Sequence, residues 1–374
     1  METASHEYMR RAISLAKKGA GWTSPNPLVG AVIVKDGRII GEGFHEKYRE
    51  KHAERNALAS LKESARGADM YVTLEPCCHY GNQPPCTEAV IENGIKRVFI
   101  GSRDPNPLVA GKGTKILRDH GITVVEDFLR EECDALNEIF FHYITTKRPY
   151  VLMKYAMTID GKIATKTGAS KWITGNEARE HVHFLRGRYA SVLAGIGTVI
   201  ADDPMLNCRI PGAHQPLRII LDSGLRIPLE SSIVMTAPEF PTLVVTAVDP
   251  EDPDRSEKIA GLREKNVRLA FLSDEKDGRV SIEKLLRYLG DEGIDSIFVE
   301  GGGKIHDSFR KAGAVDKVAC YIAPKIFGGS GAMTPVAGEG IETVDEAMRL
   351  EDMKVSKIGG DILIEAKVKN EGEK

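Results

Sequence analysis

The chain has 374 residues, 51 Lys+Arg against 54 Asp+Glu, a formal charge of −3, and 42% hydrophobic and 28% charged residues. At about 150 residues per domain this predicts two globular domains, and the balanced charge argues against a protein that lives on nucleic-acid backbones. The longest apolar run, Tyr189 to Ala201, is too short for a bilayer and is cut by Gly195 and Gly197, so no membrane span is expected.

His6 to Gly19 reads as a helix, with Tyr8, Met9, Ala12, Ile13 and Ala16 at helical spacing. Leu28 to Val34 is an apolar, β-branched run that ends at the turn signal Lys35-Asp36-Gly37, and Arg38 to Phe44 is its hairpin partner. Strands are then expected at Met70 to Leu74, Val98 to Gly101 and Ile122 to Val125. Helices are expected at Ala53 to Ser64, Thr87 to Asn93, Gly113 to His120 and, as one long element, Glu131 to Thr145. Pro149 resets the pattern, which places a boundary between domains 1–146 and 147–374. Beyond it, strands are expected at Tyr150 to Lys154, Val192 to Gly195, Leu217 to Asp222, Thr242 to Ala247, Arg268 to Leu272, Ser296 to Glu300 and Lys317 to Ala323. Helices are expected at Glu177 to Arg188, Ser281 to Leu289 and Lys304 to Ala312, and Asp249 to Arg255 reads as a Pro-broken surface loop. Alternating strands and helices predict α/β layering in both halves.

Six cysteines are too few for a disulfide framework, and three crowd together as Cys77, Cys78 and Cys86. The opening residues lack a basic stretch followed by an apolar core, so a reducing cytoplasm is expected. There the cluster reads as a metal site. His52-Ala53-Glu54, Pro76-Cys77 and Cys86 offer one imidazole and two thiolates, a set that suits zinc and leaves a fourth position for water. Zinc lowers the pKa of such a water to about 7, and Glu54 is placed to carry its proton. His52 and Glu54 are two residues apart, about 200° on a regular helix. Both reach one metal only over the first turn of that helix. The pattern is the zinc-deaminase signature, except that eight residues separate Cys77 from Cys86. Cys78 is expected to be a bystander. The plainer alternatives are a structural zinc site with His79 as fourth ligand, or no metal at all.

These residues carry a family likeness. Ser24 to Val32 (Ser-Pro-Asn-Pro-Leu-Val-Gly-Ala-Val), Gly43-Phe44-His45, His52-Ala53-Glu54, Thr73 to Cys77, Pro84-Pro85-Cys86 and Asp104-Pro105-Asn106-Pro107 resemble the deaminase half of the bifunctional riboflavin biosynthesis deaminase–reductases. Met153 to Lys162, Ser170 to Thr174, Gly197 to Pro204 and Val299 to Gly302 resemble the reductase half.

The resemblance implies a cytidine-deaminase-like three-layer domain followed by a dihydrofolate-reductase-like α/β domain. It implies hydrolytic deamination of 2,5-diamino-6-(5-phosphoribosylamino)pyrimidin-4-one by zinc-activated water. NADPH reduction of the ribosyl group to ribityl would follow. By the same resemblance Asn26, His45, His79, Asp104 and Asn106 line the pyrimidine and ribose phosphate. Asn82 stands where the family has a basic residue, with Lys51 or His79 to compensate. Ala156, Trp172, Thr198, Asp202, Ser223 and Gly301, Gly302 and Gly303 contact the nicotinamide cofactor. Ser170, Arg186, Leu206, Arg209 and Glu300 contact the second substrate, with Arg186 and Arg209 as a phosphate clamp. Lys154 and Asp160 are possible reductase participants. The resemblance also implies a homo-oligomer. A deaminase with a merely nucleotide-binding second half is the main competitor. An RNA-editing deaminase is disfavoured because no basic, aromatic-bearing stripe is present.

Overall fold

The computed structural model describes residues 2–81, 83–274 and 277–369. The chain divides into two compact units, Met1–Lys147 and Arg148–Lys374.

The first unit runs α1 (Glu2–Ala16), β1 (Gly30–Lys35), β2 (Arg38–Phe44), α2 (Ala53–Ala59), β3 (Asp69–Leu74), α3 (Cys86–Glu92), β4 (Arg97–Ser102), α4 (Lys112–Asp119), β5 (Thr123–Val125), α5 (Arg130–Asp134) and α6 (Glu138–Thr146). Its sheet has the order β2-β1-β3-β4-β5. β1 is antiparallel to β2 and β3, and β3, β4 and β5 are parallel. Asp36 and Gly37 take the two positive-φ positions of the hairpin turn, at 49° and 74°. Side chains alternate along β1. Ala31 and Ile33 join a core with Met70, Val72, Ala57 and Val90, whereas Val32 and Val34 join another with Met9, Ile13 and Ala16 of α1. Both faces are therefore covered. Gly43 admits α2 closely, because a Cβ there would lie 2.2 Å from Ala57 N.

The second unit runs β6 (Tyr150–Thr158), α7 (Asn176–Arg188), β7 (Ser191–Gly195), α8 (Ile196–Asp202), β8 (Leu217–Leu221), α9 (Ser232–Met235), β9 (Thr242–Thr246), α10 (Ser256–Glu264), β10 (Arg268–Phe271), α11 (Ile282–Asp291), β11 (Ser296–Val299), α12 (Gly303–Lys311), β12 (Lys317–Ala323), β13 (Leu350–Ile358) and β14 (Asp361–Val368). The sheet order is β10-β9-β8-β7-β11-β6-β12-β14-β13. Strands β10 through β12 in that order are parallel, and β14 and β13 add an antiparallel edge. Strands β7, β8, β9 and β11 are buried along their whole length, as a doubly covered parallel sheet requires.

The predicted elements recur with small shifts of boundary, and the differences have local causes. The helix expected to reach Ser64 stops at Ala59. There the Ser60 hydroxyl donates to Ala57 O at 2.8 Å and accepts from Glu42 N at 2.9 Å, pinning the helix end to β2. Helices α8, α9 and α10 and the β13–β14 hairpin are additions to the sequence reading. α8 starts at Ile196, between the two glycines that cut the apolar run, and β13 mixes charged with apolar residues and is exposed for nearly its whole length.

The long helix expected at Glu131 to Thr145 is two helices. Cys133 and Leu136 pack on the α1 side of the sheet, while Phe140 packs on the other side. The chain changes face at Asn137, which is 1% exposed. Its Oδ1 accepts from Leu28 N at 2.8 Å and its Nδ2 donates to Leu28 O at 3.0 Å, so one amide holds the approach to β1. Asn137→Ala leaves both part-buried Leu28 groups without their amide partner and is expected to destabilise the first unit by about 1–3 kcal/mol. Urea unfolding followed by a probe in that unit checks this; an unchanged midpoint contradicts it.

Candidate active sites

In the first unit His52 is the N-cap of α2, extended at φ −72° and ψ 163°, and Glu54 lies in the first turn. Cys86 is the first residue of α3, and Cys77 follows the end of β3. His52 Nδ1 lies 3.4 Å from Cys77 Sγ and 3.4 Å from Cys86 Sγ. The three ligand atoms fall within 4.8 Å of one another. One borderline nitrogen and two soft sulfurs converging at helix starts fit zinc in chemistry and in spacing. Neither His79 nor Cys78 joins this cluster among the described residues. The Cys78 thiol instead faces Leu108 O at 3.6 Å.

Electrostatics match that arrangement. The hydrogen bond from Cys86 and the neighbouring His52 bring the Cys77 thiol down to about 4 against the cost of burial. Cys86, on the donating side and deeply buried, is pushed up. The hydrogen bond with Cys77 raises His52. Glu54 is 3% exposed, and burial raises its carboxyl.

Around this centre, Asn26 Nδ2 lies 3.2 Å from His45 Nε2, and His45 Nδ1 lies 3.0 Å from Lys51 O. A carbonyl only accepts, so Nδ1 carries the proton and Nε2 accepts from Asn26. Burial lowers the His45 pKa and keeps that ring neutral. The Asn26 amide oxygen is not engaged in this pair. Asp104 accepts from Asn106 N at 2.8 Å, and burial raises its carboxyl to about 6. The buried His79 Nδ1 has no hydrogen-bond partner among the described residues. Asn82 lies outside the described residues.

Two positioning residues escaped the sequence reading. Glu75 accepts from Gly111 N at 3.0 Å and Thr114 N at 3.2 Å, anchoring the segment that follows Asp104 and Asn106. Arg55 donates to Pro84 O at 3.2 Å and Pro85 O at 2.9 Å, holding the entry to Cys86. A charged residue abutting a ligand motif was the available signal in both cases.

In the second unit the chain moves outward from β7 through β8, β9 and β10, and from β11 to β12 on the other side. A parallel sheet opens a ligand crevice at such a switch point, beyond the carboxyl ends of its strands. A cavity of about 2460 Å³ lies in this unit. It is lined by Ala156, Trp172, Thr198, Asp202, Ser223 and Gly301 to Gly303. Ser170, Arg186, Leu206, Arg209 and Glu300 line it too, so the residues expected to contact cofactor and second substrate come together. Beside Gly197 and Gly302 a Cβ would meet open space, so backbone N–H groups at both turns are approachable by a pyrophosphate. A nicotinamide dinucleotide fits a crevice of this form.

Glu300 is buried at the end of β11. Arg186 Nε donates to its Oε1 at 2.6 Å and Nη2 to its Oε2 at 3.2 Å, and Lys154 Nζ lies 3.5 Å from Oε2. Burial opposes the carboxylate, yet Arg186 and Lys154 hold its pKa below the usual range. Burial pulls the Lys154 ammonium down. Arg186 also donates to Asn207 O at 3.1 Å, so its guanidinium is engaged. The exposed Arg209 side chain has no such partner among the described residues. Trp172 is 63% exposed with the Arg179 guanidinium 4.4 Å above its ring. Asp160 accepts from Phe327 N at 3.2 Å and Gly328 N at 2.7 Å, so it anchors a loop.

Comparison with known proteins gives a consistent result. Residues 2–102 match the cytidine and deoxycytidylate deaminase zinc-binding region, and residues 149–364 match the RibD C-terminal domain. The chain is 54% identical to the riboflavin biosynthesis protein RibD of Actinobacillus pleuropneumoniae, covering 96% of this chain and 94% of that one. It is 45% identical to RibD of Aquifex aeolicus, covering 96% of both. A solved structure of a Thermotoga maritima diaminohydroxyphosphoribosylaminopyrimidine deaminase/5-amino-6-(5-phosphoribosylamino)uracil reductase superposes with a TM-score of 0.85 at 40% identity, over 98% of this chain and 99% of that one. A chain with a deaminase-type metal cluster in one unit and a switch-point cleft in the next thus belongs to the RibD family, the bifunctional riboflavin biosynthesis enzymes that join a deaminase domain to a reductase domain.

Proposed function

We propose that the first unit hydrolytically deaminates 2,5-diamino-6-(5-phosphoribosylamino)pyrimidin-4-one, and that the second reduces the ribosyl group of the product to ribityl with NADPH. The observation that carries the reading is the convergence of His52, Cys77 and Cys86 beside a buried Glu54. Zinc held by those three side chains supplies a water acidified toward neutral pH. Glu54 takes one proton from the water and gives it to the ring nitrogen as the water oxygen bonds to the amine-bearing carbon, then carries the remaining hydroxyl proton to the departing amine. The C–N bond to that amine breaks, ammonia leaves and a uracil carbonyl remains. The neutral His45 fixes Asn26 against the ring edge. Asp104, Asn106 and His79 complete the binding wall.

In the second unit a bound NADPH supplies the hydride that reaches C1′. Ala156, Trp172, Thr198, Asp202, Ser223 and Gly301 to Gly303 hold the cofactor. Ser170, Leu206, Arg209 and Glu300 hold the substrate, and Arg186 steadies Glu300. The ribose ring opens as its C1′–O bond breaks, and the ring oxygen needs one proton. Lys154, buried beside Glu300, is placed to hold it. Arg209, exposed in the cavity lining with Leu206, is the cation we assign to the 5′-phosphate.

The same reading puts the enzyme in the cytoplasm as a homo-oligomer. None of the described helices is long and apolar enough to cross a membrane. Leu350, Met353 and Val355 are exposed on the edge strand β13, which supports self-association there.

Two measurements test the roles. Glu54→Gln is expected to keep zinc at the wild-type stoichiometry and to lose about 10²- to 10⁴-fold in ammonia release; undiminished release removes Glu54 from the chemistry. Arg209→Ala is expected to raise the reductase KM for the phosphorylated substrate about 10-fold or more, with a smaller change in kcat. An unchanged KM moves the phosphate elsewhere. Stoichiometric NADPH oxidation following ammonia release separates the two-step enzyme from a deaminase with a merely nucleotide-binding second unit.

A further inference from the structure

The roles above leave one end of the second unit's cleft with only Ser223 assigned. Past the end of β8, Ser223 and Arg226 line the cavity together with Arg279 from the segment that precedes α11. The two segments are tied, since Ser223 Oγ accepts from Val280 N at 3.2 Å. The tie thus joins the segment that carries Arg226 to the one that carries Arg279.

The position of this corner has chemical meaning. β8 neighbours β7, the strand that runs into the Gly195-Ile196-Gly197 turn. When a dinucleotide lays its pyrophosphate over such a turn, its adenine ribose falls at the end of the adjacent strand. A carboxylate there pairs with the free 2′-hydroxyl, whereas a guanidinium accommodates a 2′-phosphate. The chain has a carboxylate at this strand end, Asp222, but it is fully buried and turned inward to accept from Ile227 N at 2.7 Å. The cavity lining passes over Asp222 and takes in Ser223.

The arginines have donors to offer. The Arg226 side chain is 62% exposed, and its nearest carboxylate is Asp222 at 3.9 Å. The Arg279 side chain is 76% exposed, with Asp277 at 3.8 Å. Both separations exceed a hydrogen bond. Asp274 and Asp277 line the same end, so the guanidinium pair has to outweigh their repulsion of a phosphate dianion.

We infer that Ser223, Arg226 and Arg279 form the subsite for the adenine-ribose 2′-phosphate and set the preference for NADPH over NADH. The inference rests on the reading of this cleft as a dinucleotide site. Calorimetry on the full chain with adenosine 2′,5′-bisphosphate and 5′-AMP separates the two, because the probes differ only in the 2′-phosphate. The wild type is expected to bind the bisphosphate about 10- to 100-fold more tightly, the reach of two charge-assisted contacts. In the double variant Arg226→Gln/Arg279→Gln that ratio is expected to approach one, with binding of 5′-AMP retained as the check on folding. The single variants Arg226→Lys and Arg279→Lys keep charge but lose the fork, and are expected to fall between. The ratio of kcat/KM for NADPH over NADH follows the same order. Equal affinity of the wild type for both probes overturns the subsite, as does a ratio unchanged in the double variant. Binding of neither probe overturns the dinucleotide reading as well, so the two failures are distinguishable.

Discussion

The first sheet and the central strands of the second are covered on both faces, and that constraint decides where chemistry can occur. A side chain on such a strand is committed to the core, as β1 shows with alternate residues in separate hydrophobic clusters. Polar groups are then available at the carboxyl ends of parallel strands and the starts of helices, where backbone donors are also unpaired. In the first unit these places bring Cys77 from the end of β3, Cys86 from the start of α3 and His52 from the cap of α2. In the second they bring Lys154 and Ala156 on β6, Gly197 after β7, Ser223 after β8 and Glu300 after β11. Two unlike reactions are thus built with one architectural device.

The two centres manage buried charge differently. At the deaminase cluster two buried thiols share a hydrogen bond, which lowers the Cys77 pKa and raises that of Cys86. A divalent ion held there would favour the deprotonated form of both. In the reductase the compensation is internal, because Glu300 is matched by Arg186 and Lys154. Removing one partner from a buried set of that kind leaves uncompensated charge. The cluster should therefore be read as a unit, and a single substitution in it reports on all three residues.

Much of this was legible in the residue order because local signals and chemistry coincide. The Lys35-Asp36-Gly37 turn and the His52, Cys77 and Cys86 cluster each announce themselves within a few positions. The α8 helix was hidden because Gly195 and Gly197 cut its apolar run. The α5–α6 break was hidden because Asn137 interrupts the helix only through Leu28, 109 residues away. Arg186 looked like a phosphate ligand for a related reason. Its partner Glu300 is 114 residues off, and no local pattern reveals that pairing. Glu75 and Arg55 abut the ligand motifs, but the backbone groups they hold have no signature of their own in the sequence.

The Asn137 crossing also bears on how the first unit can be isolated. The deaminase-region match ends at residue 102, and the sheet closes with β5 at Val125. A fragment cut at either point would leave Leu28 without its amide partner at the mouth of β1, and would strip Phe140 from the core beneath α2. The strand so loosened is the one that follows Asn26 in the chain. Dissection of the two activities therefore calls for a deaminase fragment that extends through α6, because a segment well past Cys86 holds the approach to β1.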